Sequence, residues 1–174
     1  MRRSDILARG LDVIFCGINP AVSAAVDGHN FSNRNNRFWP VLHLAGFTGV
    51  RLLPGQERQL LEYGCGISAV VQRPTQRAAE VSSLEFRRAR AGFEARMRRY
   101  APRAIAFLGK RAVCAMLQEP DVEWGRLPTP FAGTMAWILP NPSGLNRAFS
   151  LAALVAAYTE LRSALAHASP PAPC

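Results

Sequence analysis

Apolar residues along this chain fall into two patterns. Short runs at Leu11–Cys16 (LDVIFC), Ile67–Val71, Ala104–Leu108 (AIAFL) and Met135–Leu139 (MAWIL) are bounded by glycine or proline and predict buried strands. Between them the spacing turns helical. Phe38, Leu42 and Ala45 mark a helix over 36–45 that Gly46 stops, with Pro40 near its first turn. A second helix is expected over Pro54–Tyr63, stopped by Gly64. Phe86, Ala89, Phe93, Met97 and Tyr100 line one face of an amphipathic helix over Ser83–Tyr100. A short helix is expected over Arg111–Leu117, and a long final one over Arg147–Ala166. Residues 20–33 are polar and small and read as loop. No internal repeat is visible.

Strands that are apolar throughout, alternating with helices, predict a parallel sheet covered on both faces: one α/β/α domain over residues 1–168, with a frayed tail at 169–174. In such sheets ligands bind beyond the carboxyl ends of the strands. Two strands end there in unusual turns, Gly17-Ile18-Asn19-Pro20 and Pro140-Asn141-Pro142-Ser143-Gly144-Leu145-Asn146-Arg147, and both belong at the same edge.

Composition narrows the function classes. With 49% hydrophobic and 19% charged residues, the chain of 174 is an ordinary globular one. The net charge of +9 favours a polyanionic partner. Most of it lies in residues 51–111, which carry +8, and the helix over Ser83–Tyr100 is rich in arginine. That face is either a solvated surface or part of a nucleic-acid footprint. No two of Cys16, Cys65, Cys114 and Cys174 have metal-ligand spacing and the three histidines do not cluster, so no metal and no cofactor are expected. Cys16 reads as a small core residue, and the cysteine usage suits a reducing bacterial cytosol. No apolar stretch is long enough for a membrane span, and no targeting segment is visible.

Each turn offers a structural and a chemical reading. Asn19 before Pro20 is a turn former, or an amide that holds a water it cannot deprotonate. Phe31, among polar neighbours, is a minor core anchor or a platform for a planar base. Leu145 between Gly144 and Asn146 is a staple onto the final helix, or a wedge that enters a base stack. In the second case Arg147 and the helix N-terminus beside it would meet phosphate.

Taken in order, Gly17-Ile18-Asn19-Pro20, Gly28-His29-Asn30-Phe31, Asn35-Asn36-Arg37-Phe38-Trp39 and Asn141-Pro142-Ser143-Gly144-Leu145-Asn146-Arg147 resemble the mismatch-specific uracil/thymine DNA glycosylases, a branch of the uracil-DNA glycosylase superfamily. Ala45-Gly46-Phe47-Thr48, Cys65-Gly66-Ile67, Arg73-Pro74-Thr75 and Leu108-Gly109-Lys110 look like further landmarks, and the resemblance covers roughly residues 11–165. It implies a short, mainly parallel central sheet and a monomeric, monofunctional enzyme. Such an enzyme flips uracil, or thymine or ethenocytosine, opposite guanine out of double-stranded DNA and hydrolyses its glycosidic bond.

By the same resemblance Asn19 orients the attacking water. Phe31 stacks on the flipped base, and the Ile18 and Phe31 backbones meet its polar edge. Asn141 replaces the histidine of the fast uracil enzymes, which implies slow turnover. Leu145 is the wedge, Gly144 and Asn146 face the orphaned guanine, and Ser143 and Arg147 face the backbone. Four positions depart from the usual pattern. Ala21 stands for Gly, Asn146 for Ser, Ala69 for a Lys of some bacterial members, and Ala24 for a Ser of bacterial uracil enzymes. The small Ala24 implies room for a 5-substituted base. Three readings compete: a lesion-binding protein without catalysis, a nucleosidase acting on small molecules, and a generic nucleotide-binding domain. The last would want a glycine-rich phosphate loop that is absent.

Overall fold

Strand β1 (Val13–Gly17) is buried on both faces and divides the interior in two. Val13 and Phe15 point to one core with Phe38, Leu42, Tyr158 and Leu161. Ile14 and Cys16 point to the other, with Phe86, Phe93, Val113 and Met116. This alternation explains why every residue of the run is apolar. The computed structural model describes residues 5–168, so the expected tail at 169–174 lies outside them.

The elements that follow are α1 (Val22–Asp27), α2 (Phe38–Leu44), a 3₁₀ helix (Pro54–Tyr63), β2 (Cys65–Ala69), a short 3₁₀ turn (Ala78–Glu80) and α3 (Ser83–Tyr100). Then come β3 (Ala104–Leu108), α4 (Arg111–Leu117), β4 (Gly125–Arg126), β5 (Met135–Leu139) and α5 (Leu151–His167). They form a mixed α/β fold with a sheet of order β2-β1-β3-β5-β4. All its pairings are parallel except β4 with β5. Helices α2 and α5 share the first core; α3 and α4 share the second. The carboxyl ends of β1, β3 and β5 therefore lie along one edge of the sheet.

The structure corrects four sequence readings. Residues 20–33 contain α1, a helix with no buried residue and hence no apolar face for a pattern to reveal. The helix expected over Pro54–Tyr63 forms with those bounds, as a 3₁₀ helix. Strand β1 runs from Val13 to Gly17, and β2 ends at Ala69. Val70 and Val71 donate instead to the Gly17 and Ile18 carbonyls, both at 3.0 Å, beyond the regular ladder. The two-residue β4 was not foreseen; a strand that short carries no periodicity, and it caps the β5 edge. Finally, α5 begins at Leu151, with the Ser150 hydroxyl accepting from Ala153 N at 3.1 Å. The helix N-terminus expected beside Leu145 and Arg147 is therefore absent from that place, and both stand on a loop.

Cys16 is a core residue, and burial pushes its thiol well above the ordinary range. Cys65 is pushed up to about 12, by burial and then by Asp12. Among the described residues no group of three or more His, Cys, Asp or Glu could hold a metal ion. No helix among them is long and apolar enough to cross a membrane.

Candidate active site

The two turns meet. A cavity of about 160 Å³ opens at the carboxyl edge of the sheet, lined by Ile18, Asn19, Ala24, Phe31, Asn141 and Ser143 among others. Two larger hollows, about 690 and 540 Å³, lie along α4 and the loop after it, away from the β1 and β5 ends. Size does not select the site. The strand ends do, because only the smaller cavity gathers side chains from both turns.

Asn19 is held with one orientation. Its Nδ2 donates to the Arg73 carbonyl and to Thr75 Oγ1, both at 2.8 Å. A carbonyl only accepts, so the amide nitrogen must face Arg73. Thr75 Oγ1 passes its own proton to the Arg77 carbonyl at 2.8 Å. Both Asn19 amide hydrogens are thus engaged, and Oδ1 is left to accept from a water. The Arg73 side chain grips Glu85 through Nε and Nη2 at 3.1 and 3.0 Å, tying this segment to the capping box of α3. The Ser82 N–H, then Arg73, hold the Glu85 carboxyl below its usual range. In the sequence Thr75 is part of the Arg73-Pro74-Thr75 landmark. Its part in fixing Asn19 depends on contacts that bridge 56 residues of chain.

Phe31 has φ 52°, a left-handed conformation costing on the order of 1–3 kcal/mol for a bulky residue. The surroundings impose it. Glu57, buried, accepts from Asn30 N at 2.7 Å and Asn30 Nδ2 at 3.0 Å. Trp39 Nε1 donates to the Asn30 carbonyl at 3.3 Å. The Phe31 ring then stacks on Phe38, with centroids 4.0 Å apart and planes at 26°. The core-anchor reading of Phe31 holds, since the residue packs against the first core, and it also lines the cavity. Glu57 belongs to no motif in the sequence and is one of two carboxylates, with Glu62, in the helix Pro54–Tyr63.

Asn141 is fixed from both sides. Its Oδ1 accepts from Ser143 N at 2.8 Å, and its Nδ2 donates one hydrogen to the Leu108 carbonyl at 3.2 Å. The second amide hydrogen is left for a ligand. Tyr158, buried on α5, donates to the Pro140 carbonyl at 3.1 Å and steadies the strand end before it. Burial raises the Tyr158 phenol, so it stays neutral.

Beyond Asn141 the chain makes a tight turn. Asn146 N donates to the Ser143 carbonyl at 3.0 Å, and Leu145 N to Ser143 Oγ at 3.2 Å. At its tip Leu145 is 90% exposed, the highest value among the exposed large apolar side chains of the described residues. That excludes the staple onto α5. Asn146 turns its Nδ2 inward to the Asn141 carbonyl at 2.9 Å, and Arg147 is exposed. Gly144 does not have a positive φ, so it is no left-handed hinge. A Cβ there would lie 2.6 Å from the Asn35 carbonyl oxygen and 2.9 Å from Asn35 Cβ. Glycine is needed for this close approach. Ala21 has φ −72° and ψ 150°, ordinary extended backbone, so its methyl does not strain the first turn.

The most consequential residue left without a role in the sequence reading is Arg37. Its guanidinium donates to the carbonyls of Phe149 (2.6 Å), Asn146 (2.8 Å), Ser143 (3.0 Å) and, more weakly, Pro142 (3.4 Å). Its backbone N–H also donates to Pro142, at 2.9 Å. In the sequence it stands only as part of the Asn35-Asn36-Arg37-Phe38-Trp39 motif.

No ionisable side chain lines the cavity. Of the six arginines of α3, Arg87, Arg88, Arg98 and Arg99 are exposed and Arg90 and Arg96 are half-buried. Arg90 and Arg98 pair with Glu94, and Arg96 donates to Ser68 Oγ at 3.1 Å and the Ala69 carbonyl at 2.5 Å.

Residues 5–162 match the family model of the uracil DNA glycosylase superfamily, and the chain belongs to that superfamily. Its members are DNA glycosylases, hydrolases of the bond between base and sugar. The fold is similar to the solution structure of a candidate uracil DNA glycosylase from Methanosarcina acetivorans, with a TM-score of 0.58 and 17% identity. The match covers 91% of this chain and 95% of the other.

Proposed function

We propose that this chain is a monofunctional glycosylase that removes uracil opposite guanine from double-stranded DNA and leaves an abasic site. The observation that carries the duplex part is Leu145, an apolar side chain held in water at the tip of a turn whose base, Asn141 and Ser143, lines the cavity. Exposing a leucine makes sense where it fills the gap left by an extruded base.

In this reading the flipped uracil stacks on Phe31, and the spare Asn141 N–H donates to a base carbonyl. The bond between C1′ and the base nitrogen breaks, and its electron pair leaves with the base as an anion. Water held by Asn19 Oδ1 bonds to C1′ and releases its proton to solvent. With no carboxylate or imidazole in the cavity, the sugar must develop its positive charge before water attacks, and water needs placement more than deprotonation. Arg147 and Ser143 face the phosphate backbone, and Gly144 and Asn146 face the widowed guanine. The test is to offer the enzyme uracil in a duplex and free deoxyuridine side by side. Alkali-labile sites in the duplex with the nucleoside untouched are expected; nucleoside hydrolysis at a comparable rate contradicts the reading.

Two predictions arise here. The single-turnover rate is expected to stay flat between roughly pH 6 and pH 9, because no lining group titrates there. A limb within that window would contradict this reading of the cavity. The second concerns Ala24, the one residue of α1 that is not fully exposed, which lines the cavity. Ala24→Ser narrows the pocket and is expected to lower thymine excision roughly tenfold more than uracil excision. Equal effects on the two bases would count against a specificity role.

A further inference from the structure

Arg37 makes an unusual set of contacts for a residue outside the cavity. Its four carbonyl partners span Pro142–Phe149, the stretch that presents Leu145. One nitrogen, Nη2, takes the carbonyls on either side of the tip, Ser143 at 3.0 Å and Asn146 at 2.8 Å. The stretch leaves a strand and has not yet entered a helix, so these carbonyls lack regular partners. A guanidinium has five donors in a rigid fork and stays charged at every relevant pH, so it can serve them all at once; an ammonium cannot.

The same residue starts α2 and directly precedes Phe38, the ring under Phe31. Asn36, on its other side, lines the cavity. Phe149 is braced from outside by Trp124, edge-on at 5.3 Å. Asn35 meets Gly144 backbone to backbone. One short segment, 35–38, therefore touches both the floor of the base pocket and the frame of the wedge.

We infer that Arg37 is a positioning residue that holds Leu145 in its inserting geometry before DNA arrives and keeps that geometry in register with the base pocket. The inference rests on the duplex base-flipping reading above. Arg37 also helps decide where α5 starts. Its bonds to the Asn146 and Phe149 carbonyls fix the stretch just before Ser150, the cap at which α5 begins. The loop stays a rigid turn instead of an extra helical turn.

A double-mutant cycle on a U:G duplex tests this, with single-turnover excision and the fluorescence of a 2-aminopurine beside the uracil as readouts. Arg37→Lys keeps the charge and loses the fork; thermal melting of each variant reports folding, and Arg37→Gln is the second variant should the first be poorly folded. The expected result is a loss on the order of tenfold to a hundredfold in excision, with a matching loss of flipping signal. In the Leu145→Ala background the same substitution is expected to have almost no further effect. On uracil in a single-base bulge, where extrusion is nearly free, the Arg37 effect is expected to shrink. Additive losses in the cycle, or an equal loss on the bulge, would overturn the role given to Arg37 and leave the wedge intact. If Leu145→Ala alone changes neither excision nor flipping, the wedge reading itself is wrong and the Arg37 role falls with it.

Discussion

Asn19→Ala is expected to lower uracil excision by a factor on the order of 10² to 10⁴ while leaving DNA affinity in place. The split follows from where Asn19 sits. Its Nδ2 holds to Arg73 and Thr75 from inside the turn, and only Oδ1 remains for a water. The lining has no ionisable group that could supply a base in its place. The surfaces assigned to DNA, Leu145 and Arg147, are on the other turn and do not depend on it. Thr75→Val gives a finer version. It removes one acceptor for the amide without touching the cavity, so activity should fall by less than with Asn19→Ala. The check is single-turnover excision alongside a gel-shift titration on the same duplex. Full activity in Asn19→Ala would mean that another group places the water.

Gly144→Ala is expected to be nearly as damaging to excision, by a different route. The added methyl would sit 2.6 Å from the Asn35 carbonyl oxygen, well inside contact distance, and the collision is with backbone. One of the two segments must move. Asn35 belongs to the stretch that Arg37 ties to Pro142, so movement disturbs both the wedge and the Phe31 floor. A shift of even 1 Å can cost on the order of a hundredfold in rate. The cost in stability should be modest, about 1–3 kcal/mol as for an overpacked site. A thermal melt and a single-turnover assay on one preparation separate the two. An active Gly144→Ala enzyme would show that the loop is looser than this contact implies.

How much of this was legible beforehand depended on the range of the interactions. The helix Ser83–Tyr100 and the strands Ala104–Leu108 and Met135–Leu139 have the residues that the sequence pattern predicts, because apolar periodicity, capping and flanking breakers are local signals. Ser82 and Glu85 even form the capping box at the start of that helix. Helix α1 was not legible, since a helix that buries nothing carries no pattern. The start of α5 was misjudged because its cap is Ser150, and the stretch before it is tied to Arg37, more than 100 residues away in sequence.

The site divides along the same line. Ile18, Asn19, Ala24, Phe31 and Asn141 could be named from two turns and a family resemblance, and the fold gathers them at one cavity. The residues that hold them there, Thr75, Glu57 and Arg37, act across 27 to 112 residues of chain, and the motifs of Thr75 and Arg37 show only that something is needed. The arginine-rich face of α3 divides: Arg90 and Arg96 bond to the Met116 and Ala69 carbonyls, while Arg87, Arg88, Arg98 and Arg99 stay exposed.

The most direct test of the central claim is excision from three duplexes that differ in one pair, with uracil opposite guanine, uracil opposite adenine and thymine opposite guanine, read as alkali-labile abasic sites under single turnover. The account predicts cleavage of uracil opposite guanine well above uracil opposite adenine, with measurable release of thymine. Equal cleavage of both uracil duplexes, or none of either while DNA is still bound, would contradict a mismatch-directed glycosylase.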